Sequence, residues 1–191
     1  MTSILKADNI QDADGNNIIN ESSNTITIGA SGDTITIPSG ATISNSGTAT
    51  GFGKILQVVQ GTHGTEDNFG NTSYQATETD VDITPSATSS KVLVTVTIPF
   101  MIVTKNEEFV ITIYRDSTNL ALTAVRGFGT LRAKDSDYYA GIFSASFLDT
   151  PSSTSALHYE AYVKRDTGSG NIYLNYNTAS TSTITAMEIG A

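Results

Sequence analysis

From residue 54 onward the chain alternates apolar and polar positions in short runs, the period-two pattern of a half-buried β-strand. The longest run is 91–103, where Val92, Val94, Val96 and Ile98 interleave with Leu93, Thr95 and Thr97. Phe109, Ile111 and Ile113 repeat the pattern within 108–115. Comparable runs predict strands at 54–60, 72–76, 80–84, 91–103, 108–115, 120–126, 139–148, 156–165, 171–176 and 183–189. Between them lie turn-forming clusters: TPSATSS at 84–90, RDSTN at 115–119, DTPSST at 149–154 and DTGSG at 166–170. No stretch of ten or more residues follows a helical period. Pro99 lacks the N–H a ladder needs, which predicts a bulge or an edge in the longest strand. Many short strands joined by polar turns predict an all-β sandwich or jelly roll over 54–191.

Residues 1–53 follow a different rule. Ile10, Ile19, Ile28 and Ile37 stand nine residues apart, and Ile26 and Ile35 keep the same interval. The string TITI at 25–28 recurs at 34–37, with ATIS at 41–44 a weaker copy. Each copy alternates polar with β-branched residues and is followed by small turn-forming ones. The segment holds no aromatic until Phe52, whereas the other 14 of the 15 aromatics lie beyond it. Scattered isoleucines in one chain do not bury enough area to offset its conformational entropy. The calcium-binding nonapeptide roll needs Gly-Gly-x-Gly-x-Asp, which is missing, and plain disorder would leave the spacing to chance. The favoured expectation is an extended β-repeat stalk over 21–53. In it three copies of the chain supply the core that one lacks, with Ile10, Ile19, Ile28 and Ile37 as the core positions.

Charge narrows the partners. Ten Lys+Arg against 19 Asp+Glu give a net charge of −9. That balance is wrong for nucleic acid, which needs a basic stripe, and offers little to an anionic membrane. The charged fraction of 15% is too low for a charge-driven disordered chain. Without cysteine there is neither a disulfide framework nor thiolate chemistry. The N-terminal MTSILKADN lacks the apolar stretch of a signal peptide. The longest run of large apolar residues, 100–103, is far short of the ~20 that span a bilayer. The expectation is a soluble protein made without a cleaved leader, with no cofactor, no resident metal, no nucleic-acid partner and no membrane insertion.

Candidate chemistry is sparse. Asp166-Thr167-Gly168 is the tripeptide of aspartic proteases, but Lys and Arg precede it and Ser-Gly follows, which predicts a polar hairpin turn. Neither His63 nor His158 lies near a nucleophile motif, so no enzyme is expected. Glu78, Asp80 and Asp82 alternate and share one strand face. A cation site or a glycosidase carboxylate pair would suit that spacing, but a solvated face that discourages edge pairing is the favoured expectation. For binding, the irregular stretch 127–139 combines Phe128, Arg132, Lys134, Asp135, Asp137 and Tyr138 between glycine hinges. An aromatic face beside planar hydrogen-bonding groups suits carbohydrate. The 61–71 loop, with His63 and Phe69, is the second candidate.

ITPSATSSKVLV at 83–94, IYRDS at 113–117, FLDTP at 147–151, Tyr159-x-x-Tyr162-Val-Lys and the closing TITAMEI at 183–189 resemble C-terminal domains of tailed-phage fibre and spike proteins. More distantly they resemble the trimeric jelly roll of the tumour-necrosis-factor-like class, whose last strand lies centrally, near the subunit interface. The repeat followed by Gly51-Phe52-Gly53 is similar to stalks of the same viral proteins. The resemblance implies a homotrimeric virion protein. Residues 1–20 would attach to other virion structural proteins, 21–53 would form the stalk, and 54–191 would be a jelly-roll knob meeting a host cell-surface glycan. A capsid decoration or head-fibre protein is the alternative, and a polysaccharide-cleaving tailspike the second alternative.

Overall fold

The computed structural model describes residues 9–11, 13, 17–23, 25–29, 31–44, 46, 55–121, 126–135 and 137–190. Much of the expected attachment segment 1–20, the Gly51-Phe52-Gly53 junction and residues 122–125 of the expected strand 120–126 lie outside the described residues. The chain divides into two units, Met1–Thr50 and Gly51–Ala191.

In the first unit β1 (Asn9–Gln11), β2 (Asn17–Ser22) and β3 (Thr25–Ile28) form an antiparallel sheet in that order. Ile10 pairs with Ile19 and Ile19 with Ile28, so the nine-residue interval sets one row of isoleucines across three strands. The second TITI copy, at 34–37, lies outside any strand.

The second unit is a sandwich of two antiparallel sheets. One sheet runs β10 (Gly129–Ala133), β8 (Glu107–Arg115), β12 (Leu157–Thr167) and β6 (Gln75–Ile83), with β9 (Thr118–Asn119) also on β8. The other contains β4 (Ile55–His63), β14 (Ser182–Ile189), β7 (Lys91–Ile102) and β11 (Tyr139–Asp149) in that order. Beside the far end of β7 lie β13 (Ile172–Leu174) and β5 (Asp67–Phe69). Among the eight long strands, successive ones lie in opposite sheets except β8 and β10, which pair.

The inward positions of the alternation make the core: Val92, Val94, Val96 and Ile98 of β7 meet Phe109, Ile111 and Ile113 of β8 and Tyr159, Ala161 and Val163 of β12. At one corner β4 comes so close to β6 that a Cβ on Gly61 would overlap the Asp80 carbonyl oxygen. Only glycine admits that approach.

Three expectations are corrected. The predicted strands 72–76 and 80–84 are largely one strand, β6, which absorbs a register shift opposite Glu160 and Tyr162 with Glu78 at φ 55°. The stretch 127–139 is not a single loop, because Gly129–Ala133 pairs with β8 as an edge strand. Pro99 stands in a central strand rather than at an edge. β14 pairs with β7 as far as Thr97 and β13 begins at Phe100, so Pro99 falls in the gap between two partner strands. Its carbonyl accepts from the Asn175 N–H there, and its ring nitrogen faces the same gap, where no ladder bond is lost.

Candidate functional site

Because side chains alternate across a strand, each sheet turns one set of residues to the core and the other outward. The outward set on the β4–β14–β7–β11 sheet is uncharged through its middle. Val58 pairs with Met187, Met187 with Leu93 and Leu93 with Leu148, giving an aliphatic row across all four strands. Val58 is 55% and Leu148 47% exposed. The next rows are Gln60, Thr185, Thr95 and Ser146, then Thr62, Thr183, Thr97 and Ser144. Ile142, opposite Pro99, extends the apolar character toward the other end and is 70% exposed.

The acids of these four strands point inward. Glu188 is buried, and its carboxylate accepts from the Ser86 N–H (2.7 Å), the Ser86 hydroxyl (2.6 Å) and the Gln57 amide (2.7 Å). Burial alone would raise its pKa; the bonds from Ser86 and Gln57 outweigh it and hold the carboxyl at about 2. Asp149 is buried at the end of β11, where it accepts from Arg115 (2.7 Å) and from the Tyr159 hydroxyl (2.7 Å). Burial first, then the bond to Asp149, pushes the Tyr159 phenol far up. This group ties β11 of one sheet to β8 and β12 of the other. The strings IYRDS, FLDTP and TITAMEI therefore contribute Arg115, Asp149 and Glu188 to buried clamps.

The outer face of the β10–β8–β12–β6 sheet is charged and aromatic. Glu78, Asp80 and Asp82 do share one face of β6, beside Thr79, Val81 and Ile83 that point inward. His158 Nδ1 lies 2.8 Å from Asp82 and its Nε2 3.6 Å from Glu160. Partial burial pulls the His158 pKa down, but the bond to Asp82 and the charges of Asp82, Asp80 and Glu160 outweigh it and raise the value above 6.5. Tyr162 and Tyr114 stack at 4.2 Å between centroids, and Tyr74 meets Tyr114 edge-on at 5.9 Å. Among the described residues no three His, Asp or Glu are arranged to hold a metal ion.

The residues expected to bind a receptor do not converge. Phe128 is half-buried against the core, its ring 5.4 Å from that of Phe147. Phe69 is buried in the core. Arg132 extends from β10 toward Glu108, which Arg126 also engages. Lys134, Asp135 and Asp137 are exposed, as is Tyr138. His63, in β4, is held 2.6 Å from Asp67 of β5, both in the sheet that contains β7. Asp166 lies near the end of β12, followed by a tight turn in which Gly168 has φ 94°. A Cβ at Gly168 would strike the Glu107 carboxylate that accepts the Ser169 and Gly170 N–H groups. The tyrosine cluster escaped sequence reading because its members are 40 (114 − 74) and 48 (162 − 114) residues apart and only the sheet brings them together.

No protein-family model matches the chain, and no curated protein matches it.

Proposed function

We propose that the chain is a homotrimeric structural protein of a virion, a tailed-phage fibre or spike that attaches through its N-terminus and presents a jelly-roll knob to the host surface. The observation that carries this reading is aliphatic surface without a partner in both units. Ile26 is 68% and Ile35 57% exposed in the repeat, and the Val58–Met187–Leu93–Leu148 row lies on the outside of the sandwich. Depletion of charge, more than bulk hydrophobicity, marks the core of a protein interface. The middle of this face has that composition. The orders β4–β14–β7–β11 and β6–β12–β8–β10, with repeated crossing between sheets, support a jelly roll. Its last strand, β14, lies centrally in the uncharged face, as the resemblance to the tumour-necrosis-factor-like class implies. Three copies of the chain would also bring three copies of the repeat together, which would give its isoleucines a core.

Light scattering tests the reading. The expected mass is about three times the 20.1 kDa chain. A monomer at micromolar concentration overturns both the trimer and the stalk.

A further inference from the structure

We propose that the open edge of β11 pairs with β11 of a second copy of this chain, the two strands running antiparallel about Ser144 so that one sheet continues through both molecules. This goes beyond the reading above and does not depend on it, because the edge consists of backbone groups and the uncharged face of side chains. β11 pairs with β7 over its eleven residues, Tyr139–Asp149, without a register shift. Among the described residues no backbone group bonds its other edge. Such an edge is a template for a further strand, and proteins blunt it with charge, proline, a bulge, brevity or a cover. The other edges of the sandwich each have one of these devices. β6 shows Glu78, Asp80 and Asp82 and shifts register with Glu78 at φ 55°. β10 has five residues, among them the exposed Arg132, and β5 has three. β4 is closed against β6, where Gly61 meets the Asp80 carbonyl and the Gln57 amide donates to the Thr84 carbonyl (2.6 Å). β11 has none of them: before Asp149 its string YAGIFSASFL holds no charge, no proline and no bulge.

The sequence of β11 argues that its own copy is the occupant. Antiparallel overlap of the whole strand sets Ser144 opposite itself. On the outer face Ala140 then stands opposite Leu148 and Ile142 opposite Ser146. On the inner face Gly141 stands opposite Phe147 and Phe143 opposite Ala145. Each of these pairs puts a large side chain against a small one, and no like charges meet, since Asp149 falls opposite Tyr139. The contact is isologous and closes on a two-fold axis, and with the other edges blunted it stops at two copies. One edge buries less than the ~1,200 Å² of a standard interface, so the pairing is weak and concentration-dependent.

Sedimentation equilibrium of the full-length protein from about 1 to about 300 μM tests the pairing. The expected result is a doubling of mass with concentration, from about three to about six chain masses for a trimer or from about one to about two for a monomer. Ser144→Lys brings two ammonium groups face to face on the axis and should weaken the doubling about tenfold. Cross-linking reads the register. The chain has no cysteine, so a disulfide in a single-cysteine variant joins two copies. Opposed residues of an antiparallel pair have Cα atoms ~4.5–5.5 Å apart, within disulfide range. Ser144→Cys should therefore cross-link with itself, and Ile142→Cys with Ser146→Cys. Ser146→Cys alone should not, because its two copies lie about 14 Å apart along the strands. A mass that does not double, doubling that survives Ser144→Lys, or equal cross-linking of Ser144→Cys and Ser146→Cys overturns the pairing. If Ser144→Lys folds poorly, the two cysteine variants decide. A constant threefold mass overturns the pairing and keeps the trimer; a monomer that doubles overturns the trimer and keeps the pairing.

Discussion

The two sheets of the sandwich spend their polar residues in opposite ways. On the β4–β14–β7–β11 sheet the acids Glu188 and Asp149 turn inward and are satisfied by hydrogen bonds, leaving an outer face of aliphatic, threonine, serine and glutamine side chains. On the β10–β8–β12–β6 sheet the outer face carries Glu78, Asp80, Asp82, His158, Glu160 and Lys164, and the core side of β8 is Phe109, Ile111 and Ile113. Both sheets obey the same alternation, so strand formation does not require the difference. An uncharged face adjoins another protein surface at little desolvation cost, whereas burying several carboxylates would leave charges without solvation. The contrast teaches which side of this domain can be covered without burying charge and which is suited to water.

A charge placed in the centre of each face should separate them most strongly. Leu93→Asp puts a carboxylate in the middle of the aliphatic row, and an unpaired buried charge costs several kcal/mol, roughly 3–5. Sedimentation should show the proposed trimer reduced to monomers, with the sandwich still folded because Leu93 faces away from the core. Asp82→Lys on the opposite face should leave the mass unchanged. Equal behaviour of the two variants would abolish the distinction between the faces.

The inward acids give the next largest effect. Glu188→Ala strands the Ser86 and Gln57 donors and should destabilise the domain by about 3 kcal/mol, read by denaturant unfolding. The same carboxylate predicts an acid limb. Its folded pKa, about 2, lies below the ordinary value of 4.5, so its stabilisation is complete above about 4.5, falls with decreasing pH and is gone below about 2. Glu188→Gln should flatten that part of the stability–pH curve.

The outward acids give the smallest effect. His158 should titrate above 6.5 by NMR, and Asp82→Asn should bring it down. The sign of its contribution is opposite to that of Glu188: stabilisation is complete below 6.5 and is lost as pH rises through the higher folded value. Both His158 and Asp82 are substantially exposed, so the amount stays below about 1 kcal/mol.

Much of the fold was legible in the alternation. The runs at 91–103, 108–115, 139–148, 156–165 and 183–189 correspond to β7, β8, β11, β12 and β14, because each sets its large apolar residues on alternate positions facing the core, even in β8, which is buried on both faces. β10 was hidden, since Gly129-Thr130-Leu131-Arg132-Ala133 has too few large apolar residues to read as a strand without its partner β8. β6 was divided in two because Glu78, Asp80 and Asp82 weaken its polar–apolar contrast. The shared outer face of those acids was legible, since it needs only the strand period. The candidate binding residues were less so. Phe128 and Phe69 look available in a string of polar neighbours, and whether an aromatic ring points to core or solvent is decided by what packs against it.

By itself the sequence determined what local periodicity encodes: an all-β chain, the inward faces of its longest strands, the acidic charge and the nine-residue isoleucine interval. Only the tertiary structure decided which strands neighbour one another, and with that everything that depends on pairing across distance. Leu93 became part of an aliphatic row through Met187 and Leu148, Pro99 found a gap between β13 and β14, and Tyr74, Tyr114 and Tyr162 came to pack against one another. The reason is physical: a strand's hydrogen-bonding edges are alike whatever its residues, so the side-chain period specifies the face while the partner is selected by packing of the whole core.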